Sequence, residues 1–211
     1  MKCVIVCSGT IIDYEYLKKY FEGAELVISV DGGALHLRRF GIKPDLLVGD
    51  FDSITSECLK EYESQKVEIV KFPVQKDMTD TEIAVEIALE RGSSHVVFLG
   101  AMGTRLDHSL SNIFHLKKLY DSKVTGILAD ERNEITLIDS SIRLNRVEGM
   151  KVTLLPLTNI VKGVTTKGLM YPLYNATMNL GSSWGVSNEF SADIAEVTIT
   201  EGLLLVVKSR D

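Results

Sequence analysis

Leu26-Val27-Ile28-Ser29-Val30-Asp31-Gly32-Gly33 and Leu46-Leu47-Val48-Gly49-Asp50-Phe51-Asp52-Ser53 each run from an apolar stretch straight into an acidic turn. Short apolar runs without polar alternation read as strands buried on both faces, which is how parallel sheets are written in sequence. In an open sheet of that kind, ligands bind outside the carboxyl ends of the strands. Asp31, Asp50 and Asp52 are thereby expected at one edge. Two more acidic segments, Lys76-Asp77-Met78-Thr79-Asp80 and Arg105-Leu106-Asp107-His108, follow in the first half of the chain. Carboxylates gathered in one crevice repel each other unless a cation sits among them. Mg²⁺ is commonly held by one or two carboxylates together with substrate phosphates, so the pattern predicts a metal–nucleotide site.

Outward from these two segments the same alternation continues. Strands are expected at Cys3–Cys7, Leu26–Val30, Leu46–Val48, Val67–Lys71, Val96–Leu99, Val124–Ala129 and Glu134–Ile138. Helices are expected at Asp13–Phe21, Ala34–Phe40, Ser56–Ser64, Thr81–Arg91 and His108–Tyr120. Thr79 and Glu82 stand at the spacing of a capping box, and Ile83, Ala84, Ile87 and Ala88 then recur on one helical face. This predicts a parallel, layered α/β nucleotide-binding domain over residues 1–139. After Arg143 the period changes: Val152 and Leu154, then Val197 and Ile199, alternate with polar neighbours, and glycines punctuate the run. Residues 143–211 are expected to form a small all-β domain, marginal on its own. Glu201-Gly202 reads as a turn between two of its strands.

Composition bounds the function. A net charge of −6 leaves no basic stripe for nucleic acid, and no apolar stretch approaches the roughly 20 residues needed to span a membrane. The N-terminal Met1–Cys7 enters a strand at once and lacks a signal-peptide cleavage region, so a cytoplasmic protein is expected. Cys3 and Cys7 on one strand would lie about 13 Å apart, beyond the roughly 7 Å that a disulfide allows. They read as core residues, and Cys58 as an ordinary helix position.

Each acidic motif has a plainer reading beside the functional one. Asp31-Gly32-Gly33 lets backbone approach a ligand closely, and equally serves an ordinary βα turn. Asp50 and Asp52 can flank one cation while Phe51 anchors the loop. Asp77 and Asp80 precede a helix N-terminus and can answer its dipole, whereas Lys76 beside them favours a nucleotide. Gly100-Ala101-Met102-Gly103-Thr104-Arg105-Leu106-Asp107 offers a tight loop in which Gly103 permits close approach and Arg105 can grip phosphate. It lacks the Lys-Ser/Thr ending of a P-loop, and no Gly-x-Gly-x-x-Gly follows the first strand. His108 adjoins the motif without metal-ligand spacing to another histidine.

Taken in order, Asp-Gly-Gly, Gly-Asp-Phe-Asp-Ser, Lys-Asp-x-Thr-Asp, Gly-x-x-Gly-x-Arg-x-Asp and the late Ser187-Asn188-Glu189 resemble the thiamine pyrophosphokinase family. The resemblance spans nearly the whole chain, including its β-rich tail. It implies an ATP-dependent transfer of pyrophosphate to the hydroxyl of thiamine, giving thiamine diphosphate and AMP. It also implies a homodimer with a β-sandwich tail and active sites between subunits. Asp50, Asp52 and Asp80 then correspond to the positions around Mg²⁺ and the phosphates, with Asp31, Gly32, Lys76 and Asp77 nearby. Gly103, Arg105 and Asp107 fall at the nucleotide loop, and Ser111 or Asn112 on the helix that follows. Tyr171 stands where tryptophan is frequent, and could stack on the cationic rings of thiamine. Ser187 and Asn188 match the substrate-binding turn, in which Val186 replaces a more usual threonine. Trp184 serves either as a second stacking surface or, the favoured reading, as a hydrophobic plug.

Overall fold

The computed structural model describes residues 1–52, 54–72 and 77–211. Two compact units divide it, Met1–Glu131 and Arg132–Asp211.

Among its described residues the first unit alternates six strands with five helices. The strands are β1 (Lys2–Val6), β2 (Leu26–Val30), β3 (Leu46–Gly49), β4 (Glu68–Lys71), β5 (His95–Leu99) and β6 (Thr125–Ala129). The helices are α1 (Tyr14–Leu17, extended by a 3-10 turn Lys18–Phe21), α2 (Gly33–Phe40), α3 (Ser56–Ser64), α4 (Asp80–Glu90) and α5 (Leu106–Asp121). Three starts are capped as their sequences dictate: Asp13, Thr55 and Thr79 accept from the backbone N–H of Tyr16, Cys58 and Glu82. The capping box on α4 is only half made. Thr79 Oγ1 accepts at 3.1 Å, but the Glu82 carboxylate turns to Lys118 Nζ at 2.8 Å rather than back to the cap, because an ion pair to α5 competes for it.

The six strands are parallel and run β4-β3-β2-β1-β5-β6. Every residue of β2 is buried, as expected for a strand covered on both faces. Val4 and Val6, with Val27, Val97 and Leu99, pack against Leu17 of α1 and Leu37 and Phe40 of α2. Ile5 and Ile28 are wholly buried on the alternate face, and α4 packs on β1, β2 and β3, with α5 on β6. The chain steps outward from β1 to β4, then returns to the other side of β1 with β5. Strand order therefore reverses between β1 and β5.

The second unit contains β7 (Asn133–Ile138), β8 (Ser141–Asn145), β9 (Lys151–Pro156), β10 (Ile160–Lys167), β11 (Ala176–Asn179), β12 (Ile194–Thr198) and β13 (Leu204–Ser209). β13 pairs antiparallel with β7 and β9, while β11, β10, β12 and β8 form a second antiparallel sheet. Inward residues of both, among them Ile138, Leu144, Val152, Val161, Val197 and Val206, share one core. The strand expected at Glu134–Ile138 is present as β7 and falls in this unit. Its partner is β13, some seventy residues on, and Glu134 meets Lys208 directly across the ladder at 2.6 Å. The turn at Glu201-Gly202 joins strands of different sheets rather than a hairpin pair.

The three cysteines are free and buried. Among the described residues no helix is long and apolar enough to cross a membrane.

Candidate active site

The reversal of strand order between β1 and β5 opens a crevice at their carboxyl ends. The two loops that leave these strands are joined backbone to backbone. Cys7 N–H donates to Leu99 O at 2.8 Å, Gly9 N–H to Gly100 O at 2.6 Å and Thr10 N–H to Met102 O at 3.0 Å. A methyl group on Gly9 would stand 2.3 Å from Met102 O and 2.4 Å from Gly100 O, so only glycine permits this approach. The sequence reading passed over Ser8, Gly9 and Thr10. The signal was a glycine two residues beyond an apolar first strand, but its meaning depends on β5 being its neighbour.

A cleft of about 760 Å³ lies over this junction, within the first unit. Asp31, Asp50, Asp52 and Asp80 all line it, with Ser8–Thr10, Met78, Thr79, Gly103–Arg105, His108, Ser109 and Asn112. The four carboxylates arrive on three supports. Asp31 ends β2 in a left-handed conformation, φ 46°, with its N–H donating to Val48 O at 2.9 Å. Asp50 and Asp52 flank Phe51, also left-handed at φ 65°, whose ring is buried with Ala34, Leu47, Cys58 and Tyr62. Asp50 Oδ1 accepts from Asp52 N–H at 3.1 Å, which tightens the turn. Asp80 is the first residue of α4. Residues other than glycine are rare at such φ values and gather at functional sites, where surrounding packing holds them. Among the described residues no three of the His, Cys, Asp and Glu side chains stand close enough to form a ready-made metal shell. The donors on offer are hard carboxylate oxygens, which suit a cation whose coordination is completed by phosphate.

Arg105 reaches the cleft from the start of α5, gripped bidentately by Asp107 at 3.2 and 2.6 Å. Both are exposed, and the guanidinium holds the Asp107 carboxyl down at about 2. Asn112 lines the cleft, but its amide donates to Ala101 O at 2.7 Å. Ser109 Oγ accepts from Gly103 N–H at 3.2 Å and donates to Arg105 O at 3.1 Å. Both side chains thus shape the loop. Ser109 went unnamed in the sequence, and Met78 and Thr79 were read there only as part of an acidic motif and a helix cap, because small polar and apolar residues at a helix start carry no distinctive pattern of a binding site. Gly32, Asp77 and Asp107 sit one residue outside the lining, and Ser111 is also outside it. Lys76 and Ser53 fall outside the described residues.

In the second unit, Asn188 pairs reciprocally with the Tyr171 backbone. Its Oδ1 accepts from Tyr171 N–H at 3.1 Å and its Nδ2 donates to Tyr171 O at 2.7 Å. Ser187 is left-handed, φ 60°, and its N–H donates to Thr153 Oγ1 at 2.9 Å. The three sequence candidates Tyr171, Ser187 and Asn188 are therefore brought together, and the Tyr171 ring is exposed. Trp184 is 61% exposed, so it is not the plug that its bulk led one to expect. It sits in a turn, its N–H donating to Ser182 Oγ at 3.3 Å, and takes no part in the core of this unit.

Comparison with known proteins adds an independent finding. The family model described as "Thiamin pyrophosphokinase, catalytic domain" matches residues 17–128, and "Thiamin pyrophosphokinase, vitamin B1 binding domain" matches residues 139–204. Thiamine pyrophosphokinase of Bacillus subtilis is 30% identical over 197 residues, covering 92% of each chain. The crystal structure of the Bacillus subtilis enzyme superposes with a TM-score of 0.91 at 29% identity, covering all of both chains. That of thiamin pyrophosphokinase from Geobacillus thermodenitrificans gives 0.85 at 28%, covering all of this chain and 98% of the other.

Proposed function

This chain belongs to the thiamine pyrophosphokinase family, and on that footing we propose that it transfers the pyrophosphoryl group of ATP to the hydroxyl of thiamine, forming thiamine diphosphate and AMP. The observation that carries this reading is the meeting of Asp31, Asp50, Asp52, Asp80 and Arg105, from separate segments, in one cleft at the strand-order reversal. In our reading the α/β domain of residues 1–139 binds ATP, and residues 143–211 form a β-sandwich that binds thiamine.

Phosphoryl-group transfer is chiefly positioning and charge stabilisation. Asp50, Asp52 and Asp80 are assigned to Mg²⁺, which when bound would screen the phosphates and orient the β-phosphorus toward the hydroxyl. The oxygen-only donor set supports that ion. Arg105 grips phosphate oxygens, with Asp31, Gly32, Lys76, Asp77 and Asp107 flanking. Asn112 and Ser109 keep the Gly100–Arg105 loop in shape. Tyr171, with Ser187 and Asn188, is assigned to thiamine, an exposed ring offering its face to a cationic heterocycle.

A homodimer with active sites between subunits is part of the proposal. Leu106, Leu110 and Phe114 are exposed at i, i+4 and i+8 on α5, and Tyr171, Tyr174 and Trp184 are exposed in the second unit; apolar surface of this kind supports association. Three free thiols support a reducing, cytoplasmic location. The deciding experiment incubates the protein with Mg²⁺, ATP and thiamine. Thiamine diphosphate and AMP in equal amounts are expected; ADP and thiamine monophosphate as main products would sink the assignment.

A further inference from the structure

One ordered chain of hydrogen bonds ends on the lip of the cleft. Arg39 Nη1 donates to Tyr14 Oη at 3.2 Å, Tyr14 Oη lies 2.7 Å from His36 Nδ1, and His36 Nε2 lies 2.8 Å from Gly9 O. A guanidinium can only donate. Tyr14 Oη thus accepts from Arg39 and turns its own proton to Nδ1, which leaves the imidazole proton on Nε2, aimed at the Gly9 carbonyl. Burial lowers the His36 pKa, partly offset by the Gly9 carbonyl, and Arg39 lowers it further. The ring is therefore neutral at neutral pH.

Gly9 is held on both sides, by its N–H on Gly100 O and by its carbonyl on His36. It lines the cleft, whereas His36 does not, so a carbonyl bonded to His36 points out of the cleft toward α2. The orientation matters because the partial negative charge of a carbonyl facing a polyphosphate would oppose binding. We propose that His36 is a positioning residue for the nucleotide: through Nε2–H it keeps the Gly9 carbonyl turned away and the Ser8–Thr10 loop in its binding shape. Tyr14 sets the tautomer that makes this possible. The inference rests on the reading of the cleft as the ATP site.

The test compares His36→Leu, His36→Gln and His36→Asn in the full-length protein. Loss of one hydrogen bond from the binding loop raises the KM for ATP about tenfold in His36→Leu, with kcat and the KM for thiamine within about twofold of wild type. The glutamine amide nitrogen reaches the place of Nε2 and restores the KM for ATP, whereas asparagine reaches only the place of Nδ1 and does not. A merely structural histidine would show no such split between amides. A KM for ATP in His36→Leu equal to wild type overturns the proposal. Amide hydrogen exchange at Gly9 and Thr10 in the nucleotide-free proteins separates this inference from the functional reading. Faster exchange in His36→Leu than in wild type and His36→Gln is expected. Equal protection in all of them overturns the clamp, whereas failure of wild-type protein to bind ATP at all sinks the assignment of the cleft.

Discussion

The Asp31 carboxylate occupies the space that a side chain at residue 49 would need: a methyl group on Gly49 would stand 1.8 Å from Asp31 Oδ1 and 2.8 Å from its Cγ. Gly49 also sits at φ 150°. The ends of β2 and β3 are thus pressed together by a carboxylate on one and a missing side chain on the other. Gly49→Ala is expected to push Asp31 aside, reduce kcat/KM by about a hundredfold and lower the unfolding midpoint by about 4 °C or more. Steady-state kinetics and calorimetry check both, and an unchanged variant would show that the two strand ends can part freely.

Asp52→Asn should keep its fold and lose nearly all turnover. The amide removes a charged ligand where phosphate charge must be balanced, while relief of repulsion within the acidic group leaves the midpoint unchanged or raised. Near-normal activity at limiting Mg²⁺ would make Asp52 a turn residue only.

His115 lies buried on α5, and among the described residues its Nε2 has no hydrogen-bond partner. Burial pushes its pKa below the usual 6.5, Glu82 pulls it back and Lys118 adds to the lowering. Below pH 6.5 the unfolded chain takes up a proton that the folded chain declines, so stability is greatest above that value and falls as the pH drops toward the folded pKa. The unfolding midpoint is therefore expected to decline between about pH 7 and 5, and His115→Leu to flatten that slope. His36, lowered in the same direction, supplies part of the remainder. A wild-type midpoint independent of pH across this range contradicts the account.

Tyr171 and Asn188 should separate by their phenotypes. Tyr171→Ala removes an exposed ring and is expected to raise the KM for thiamine without altering the midpoint. Asn188→Ala breaks two bonds to the Tyr171 backbone and should cost about 1–2 kcal/mol as well. Equal stability in the two variants would deny the reciprocal bridge its role.

Sites shared between subunits predict complementation. Asp52→Asn damages the nucleotide half and Ser187→Arg sets a cation against a cationic substrate, so each homodimer is expected to be nearly inactive. Refolding the two together in equal amounts gives mixed dimers as half of the population, each with one intact site, and about a quarter of wild-type activity returns. Heterodimers as inactive as their parents would mean that each site is built within one chain.

What was legible in the sequence was local. Buried parallel strands appear as unbroken apolar runs, so β2 and β3 could be placed nearly to the residue, and Thr79 announced the start of α4 because a helix cap acts over three residues. The acidic turns were legible for the same reason: Asp31, Asp50 and Asp52 follow strands whose direction is common to all. Long-range pairing was not legible. That β5 returns beside β1, making Gly9 and Gly100 neighbours, depends on contacts across some ninety residues, and the His36 clamp on Gly9 exists only after α2 packs over β1. Glu82 illustrates the competition, since its capping spacing was correct yet Lys118 on another helix took the carboxylate. Likewise β7 carries the apolar pattern of a strand, but only its pairing with β13 decides which unit it joins. Periodicity and caps act through neighbours along the chain, whereas strand order, loop-to-loop hydrogen bonds and the tautomer of a buried histidine are set by groups that meet only in space.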